Sequence, residues 1–416
     1  MTAFSWIFLA ALAAATATRI WLAQRQMRHV RAHRGAVPHT FADTIPLAAH
    51  QKAADYTVAK ARLGVLDVLV GAGALVALTL GGLLQWISDF WAGPLETGSL
   101  AHGVALIVSV VVVLSALELP FSAYRTFVIE ARFGFNRTSI GLFITDLARQ
   151  VLLGALLGIP LLLLVLWLMG RMGDWWWLHV WLVWMGFNLL VLLLYPTFIA
   201  PLFNRFKPLE DPELAERVEA LLARCGFKAK GLFVMVGSKR SSHGNAYFSG
   251  FGAAKRIVFF DTLLARLAPP EVEAVLAHEL GHFKRHHVWK RVGALFAASL
   301  LLLWVLGQLI GQEWFYAGLG VATQSTATAL LLFVLAMPVF TFFLQPVTSV
   351  LSRRHEFEAD AYAAAHASAP QLVKALVKLY QDNAATLTPD PLHSAFYDSH
   401  PPAATRIARL QQVPAL

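Results

Sequence analysis

Long apolar runs alternate with short polar ones along the chain, and the runs set its architecture. A helix needs about twenty mostly apolar residues to cross a bilayer. Seven stretches qualify: Ala3 to Leu22, Val65 to Ile87, Gly103 to Leu119, Val151 to Met169, Trp175 to Ile199, Val292 to Ile310 and Ala329 to Val350. Pro160 and Pro338 interrupt two of them, which membrane helices tolerate when neighbours satisfy the freed carbonyls. No basic region precedes the first stretch and a basic run follows it, so it reads as a retained anchor rather than a cleaved signal. The expected fold is mainly α and integral to a membrane: residues 1–200 carry five spans, 201–291 a polar module, 292–350 two more spans, and 351–416 a polar C-terminal segment.

Within the polar module the periodicity changes. Asp211 and Pro212 start a helix that Gly226 ends, and Gly231 to Val236, Asn245 to Gly250 and Arg256 to Asp261 read as short strands. An α+β domain with a small sheet follows. An exposed strand edge such as Asn245 to Gly250 would hold a peptide extended through main-chain hydrogen bonds, although an ordinary small sheet gives the same pattern.

Composition supports the membrane assignment. Of 416 residues, 57% are hydrophobic and 14% charged, against about 25% charged in soluble proteins. The net charge of +9 and pI near 9.8 do not point to nucleic acid. The basic residues lie between apolar runs, where they act as topology signals and contacts for anionic lipid. Lys and Arg crowd the connections after the first, third and fifth spans, and Ser88 to His102 and Gly311 to Thr328 have none. The positive-inside rule then puts the N-terminus outside and the C-terminus in the cytoplasm. Trp86, Trp91, Trp175, Trp176, Trp177, Trp314 and Tyr316 gather at outer span ends, as interfacial anchors do. The lone Cys225 excludes an intramolecular disulfide.

The chemistry centres on V-L-A-H-E-L-G-H-F, Val275 to Phe283. His278 and His282 stand four apart on one helix face, a spacing that suits Zn2+, and Glu279 beside them can take a proton from a water activated by the ion. Pro269 and Pro270 mark the helix start. A third ligand is needed. The form H-E-x-x-H-x-x-G-x-x-H is ruled out by Arg285 and Val288, and His286 would extend the row along a straight helix, which cannot converge on one tetrahedron. Glu356 in S-R-R-H-E-F-E-A-D is the better candidate, with Asp360 one turn on to orient a metal-bound His, while Glu358 points elsewhere. If the helix runs on unbroken, His282 lies about 15 Å from the start of the sixth span at Val292. Glu356 follows the seventh span by a few residues, so the chemistry is expected at the inner membrane face. The tail, His393 to Ile407, reads as a polar, turn-forming stretch that could supply an oxyanion partner.

Taken together, F-G-F-N-R-T-S (Phe133 to Ser139), Y-P-T-F-I-A-P-L-F (Tyr195 to Phe203), G-S-K-R-S-S-H-G-N-A-Y-F (Gly237 to Phe248), H-E-L-G-H, S-R-R-H-E-F-E-A-D and S-H-P-P give a chain that resembles the type-I CAAX prenyl proteases, seven-span membrane zinc endopeptidases. The resemblance implies that His278, His282 and Glu356 hold one Zn2+, that Glu279 is the general base, and that Asp360 supports the ligands. It further implies that Asn245, Ala246, Tyr247 and Phe248 bind the peptide, and that His400 stands near the developing oxyanion with Arg406 supporting it. The seven helices would surround a water-filled intramembrane chamber closed by the cytoplasmic domain.

The substrate implied is a prenylated C-terminal C-a-a-X tail. A quality-control protease that clips misfolded membrane proteins is an alternative, particularly for a bacterial inner-membrane source, toward which short loops and high Ala and Leu content lean. An ion transporter would need ionisable residues inside the spans, and their central parts lack them apart from Asp67 near the start of the second.

Overall fold

A computed structural model describes residues 1–227, 231–243, 246–249 and 256–412. Seven helices are long and apolar enough to cross a membrane: Ala3–Ala32, Leu47–Leu78, Leu100–Glu130, Ile140–Arg171, Gly173–Phe203, His287–Leu309 and Thr326–His366. In the first six, at most 22% of the apolar window is buried in the protein. Side chains such as Leu152, Leu156 and Ile144 are exposed on the outer surface. A water-soluble protein rarely leaves so much apolar area uncovered, so these faces suit lipid.

Local sequence explains where the helices begin and bend. Ser99 and Ser139 cap the third and fourth spans by accepting the His102 and Leu142 N–H groups at 3.2 Å each. Pro160 sits inside a continuous fourth helix. The third span ends in a π-helical turn, Arg125–Glu130, and the fifth contains another, Tyr195–Ile199, which begins at the Tyr-Pro of the apolar motif noted above. The second stretch departs from expectation: its helix stops at Leu78, and after Gly82 at φ 77 a separate helix, Leu83–Ala92, begins. Apolar content alone could not reveal that break.

The spans share one core, with Phe8, Leu84, Leu106, Leu166, Tyr316 and Leu332 at its centre. A second core lies outside them, where Val218, Leu221, Ile257, Phe259, Leu276, Leu280, Ala363 and Leu372 join the sheet to four helices. The sheet has the order β1-β2-β4-β3: Phe206–Pro208, Leu232–Met235, Arg256–Phe260 and Ala246–Ser249. β2 and β4 run parallel and the two outer pairs antiparallel. Sequence reasoning missed β1, three residues with a terminal proline that only an edge strand tolerates. The helix Pro212–Arg224 starts where expected, with Asp211 accepting the Leu214 N–H at 3.1 Å.

Two motifs noted separately in the sequence clasp the spans to this domain. Arg240 of the Gly237 to Asn245 loop holds Asp146 of the fourth span at 2.8 and 3.0 Å. Its carbonyl accepts the Arg137 N–H and the Thr138 hydroxyl, both at 3.1 Å.

Candidate metal centre

The helix that carries the two histidines is Pro269–Lys284. Prolines occupy its first turn, where no N–H is needed, and the Glu271 carboxylate accepts the Ala268 N–H at 2.8 Å while receiving Lys378 at 2.7 Å. Leu276, Ala277 and Leu280 are buried in the domain core. The partner helix, Gln345–His366, continues the seventh span through a short 3-10 turn at Phe342–Leu344. The two cross at Gly281. A β-carbon there would lie 2.9 Å from the Ala359 Cα and 3.0 Å from its carbonyl oxygen, so only glycine permits this approach.

The crossing brings His278 and His282 against Glu356. The two Nε2 atoms are 3.2 Å apart; Glu356 Oε1 is 3.3 Å from that of His282 and Oε2 is 3.5 Å from that of His278. Glu356 and His278 are buried, and Glu356 Oε2 has no hydrogen-bond partner among the described residues. A tetrahedron with arms of about 2.0–2.1 Å has edges of about 3.3 Å, so the separation of the two Nε2 atoms is that of two ligands on one cation, and the Glu356 carboxylate turns one oxygen toward each imidazole. This is the group of donors within 4.8 Å of one another expected of a metal site.

The support is distinct for each imidazole. His278 Nδ1 lies 2.8 Å from Asp360 Oδ1, and buried Arg406 grips Asp360 through two bonds of 2.9 and 2.6 Å. Burial opposes charge on His278, but its bonds to Asp360 and Glu356 prevail and raise its pKa to about 9 with only protons at the site. Burial raises the Glu279 carboxyl above its usual range, against the pull of the two histidines. Glu279 makes no hydrogen bond or ion pair among the described residues and is partly buried.

Three expectations need correction or limits. Arg406 was expected beside His400; its bonds go to Asp360, with Glu356 at 3.7 Å, because its helix, Ala403–Gln411, packs over the metal site. The tail is more helical than its composition suggests. Arg353 draws the end of Pro391–Tyr397 inward by donating to the Ser394 and Asp398 carbonyls at 3.1 and 2.9 Å. That leaves His400 Nε2 3.5 Å from Glu356 Oε2, with its Nδ1 3.0 Å from the Ser399 hydroxyl. Loss of water lowers the His400 pKa. The run into the sixth span is not continuous: the helix ends at Lys284, His286 takes φ 56, and a new helix starts at His287. Glu358 is not part of the donor group with Glu356, and it lies 3.0 Å from His287 Nε2. His286 itself is exposed.

Ala246 opens β3 and is buried; its strand, with Tyr247 and Phe248, forms one edge of the sheet and pairs with β4 from Ala246↔Phe259 to Ser249↔Arg256. Asn245 lies outside the described residues.

Comparison with known proteins agrees with this arrangement. Residues 26–205 match a family model described as the CAAX prenyl protease N-terminal region with five membrane helices, and residues 208–413 match peptidase family M48. A CAAX prenyl protease 1 homolog of Oryza sativa subsp. japonica is 37% identical over 77% of this chain and 76% of its own length. One from Arabidopsis thaliana is 32% identical over 89% of both. The crystal structure of Saccharomyces mikatae Ste24p superposes with a TM-score of 0.92 at 29% identity, covering 99% of each chain. These relatives are eukaryotic and lend nothing to the bacterial leaning. A transporter assignment has no counterpart in them. The chain belongs to peptidase family M48 and is a multi-pass membrane metalloprotease.

Proposed function

We propose that the chain binds one Zn2+ through His278, His282 and Glu356 and hydrolyses peptide bonds at the cytoplasmic face of its membrane. What carries the reading is the convergence of His278, His282 and Glu356, whose donor atoms lie within 4.8 Å of one another, with one buried Glu356 oxygen that has no hydrogen-bond partner among the described residues. When bound, zinc supplies Lewis-acid polarisation of the scissile carbonyl and acidifies the attacking water.

The chain does the rest. Glu279, whose basicity burial raises, takes the proton of the water and returns it to the leaving amine. Asp360, locked by Arg406, holds the His278 ring so that Nε2 faces the cation. His400, with Nε2 3.5 Å from Glu356 Oε2, donates toward the oxyanion as it forms, and Asn245 with the Ala246, Tyr247 and Phe248 strand holds the substrate backbone extended. The N-terminus would lie outside, from the Lys and Arg bias of the loops.

The substrate class follows from position. Both metal-bearing helices attach directly to membrane spans, so a substrate anchored by lipid arrives at the right depth. The relatives are named CAAX prenyl proteases, and a C-terminal C-a-a-X tail with an isoprenoid on its Cys fits such a site. Purified enzyme offered matched prenylated and unprenylated peptides tests this: a higher kcat/KM for the prenylated one is expected. Equal values would favour the quality-control alternative. Glu279→Gln should keep its metal and fold and lose cleavage by about 10²-fold or more; unchanged cleavage would remove Glu279 as base.

A further inference from the structure

The two imidazoles are braced unequally, and the weaker brace involves residues that neither the motif nor the comparisons assign. His282 Nδ1 lies 3.0 Å from His287 Nδ1, and His287 Nε2 lies 3.0 Å from Glu358 Oε2. His287 is 1% exposed and stacks on His355 with ring centres 4.1 Å apart and planes at 15°. Glu358 is 44% exposed at its side chain, with Lys290 Nζ at 4.0 Å.

The backbone break is what makes this contact. On an unbroken helix, five residues turn the side chain about 140° away from His282. Instead His286 adopts φ 56 and ψ 31, a left-handed conformation unfavourable for a non-glycine residue, and the chain turns so that His287 faces back. Strain of this kind persists where the surroundings demand it.

Proton bookkeeping then permits one arrangement. An imidazole that offers Nε2 to a cation carries its hydrogen on Nδ1, so His282 donates and His287 Nδ1 accepts. His287 must therefore be neutral with its hydrogen on Nε2, and that hydrogen goes to Glu358. We propose that His287 and Glu358 are positioning residues that hold His282 in the Nδ1–H form with Nε2 turned to the metal. The proposal rests on the zinc reading above. It gives His282 a relay that ends at a half-exposed carboxylate, where His278 has a carboxylate clamped by a buried arginine.

The test is zinc affinity of full-length protein in detergent, by chelator competition, together with the visible spectrum of the Co2+-substituted protein. His287→Leu removes the acceptor and should weaken zinc binding about 10- to 100-fold and alter the Co2+ bands. His287→Asn, whose amide oxygen can replace Nδ1 as acceptor, should recover most of the affinity. Glu358→Leu, at a half-exposed site that folding tolerates, should lose affinity by a smaller factor and keeps the test alive if His287→Leu does not fold. Wild-type affinity and spectrum in Glu358→Leu, or equal losses in the Leu and Asn variants at His287, would overturn the proposal. Glu356→Ala is the control on the underlying reading: if it binds zinc as the wild type does, the metal set itself is wrong. If it loses zinc while the His287 and Glu358 variants match wild type, only the relay fails.

Discussion

Gly281 and Ala359 stand so close that a β-carbon on the first would come within 2.9 Å of the Cα of the second. This crossing sets the distance between the helix of the histidines and the helix of the glutamate. It also accounts for glycine between Leu280 and His282, since Leu280 fills the core while His282 faces Glu356.

Gly281→Ala should therefore act on both stability and metal. Overpacking at a rigid backbone contact costs about 1–3 kcal/mol, and the helices must part, carrying Glu356 from the imidazoles. Thermal unfolding and zinc affinity measured on the same preparation should fall together. A variant as stable as wild type with unaltered affinity would show that the crossing can relax.

The Arg406 to Asp360 pair is buried on both sides, at 6% exposure each. Arg406→Leu leaves the buried Asp360 carboxylate with His278 as its one remaining partner and should cost about 3 kcal/mol. The double variant with Asp360→Asn should recover part of the stability without recovering full zinc affinity, since the brace on His278 is weaker. Equal stability of single and double variants would contradict this.

Metal uptake should depend on pH through His278. Its pKa in the folded, metal-free protein is about 9, above the ordinary 6.5. A raised pKa stabilises that form fully below 6.5, and the contribution is lost as pH climbs through about 9. Zinc must displace the same proton, so its apparent affinity should tighten by about tenfold per unit between pH 7 and 9 and level off above. A flat profile over that interval, by chelator competition, would contradict the assignment.

His400→Ala should lower kcat by about 10²-fold with KM little changed, as expected for a donor engaged mainly in the transition state. Steady-state cleavage of a single peptide suffices. A rise in KM at constant kcat would instead make His400 a substrate contact.

How far the sequence was legible varies with range. Seven spans and the H-E-x-x-H helix follow from local periodicity, and the partnership of Glu356 with Asp360 followed from one helical turn. The reversal at His286 did not, because no glycine, asparagine or proline marks it and a histidine there reads as more helix. The contact of His287 with His282 was therefore not legible, and neither was that of Glu358 with His287. Arg406 was legible as a site residue through the family resemblance, yet its partner was not: which carboxylate it meets depends on how the tail helix packs. The break at Gly82 went unread because the apolar run continues across it, although the Gly81-Gly82 pair marks a turn.

The central claim is that one metal ion is held by two imidazoles and Glu356. Zinc content with zinc-edge X-ray absorption on the purified, active protein tests it most directly. The expected result is one zinc per chain, with two imidazole nitrogens and carboxylate oxygen at about 2.0–2.2 Å, and loss of that signal in Glu356→Ala. Full peptide cleavage by protein without stoichiometric metal, or an unchanged zinc spectrum in Glu356→Ala, would contradict it.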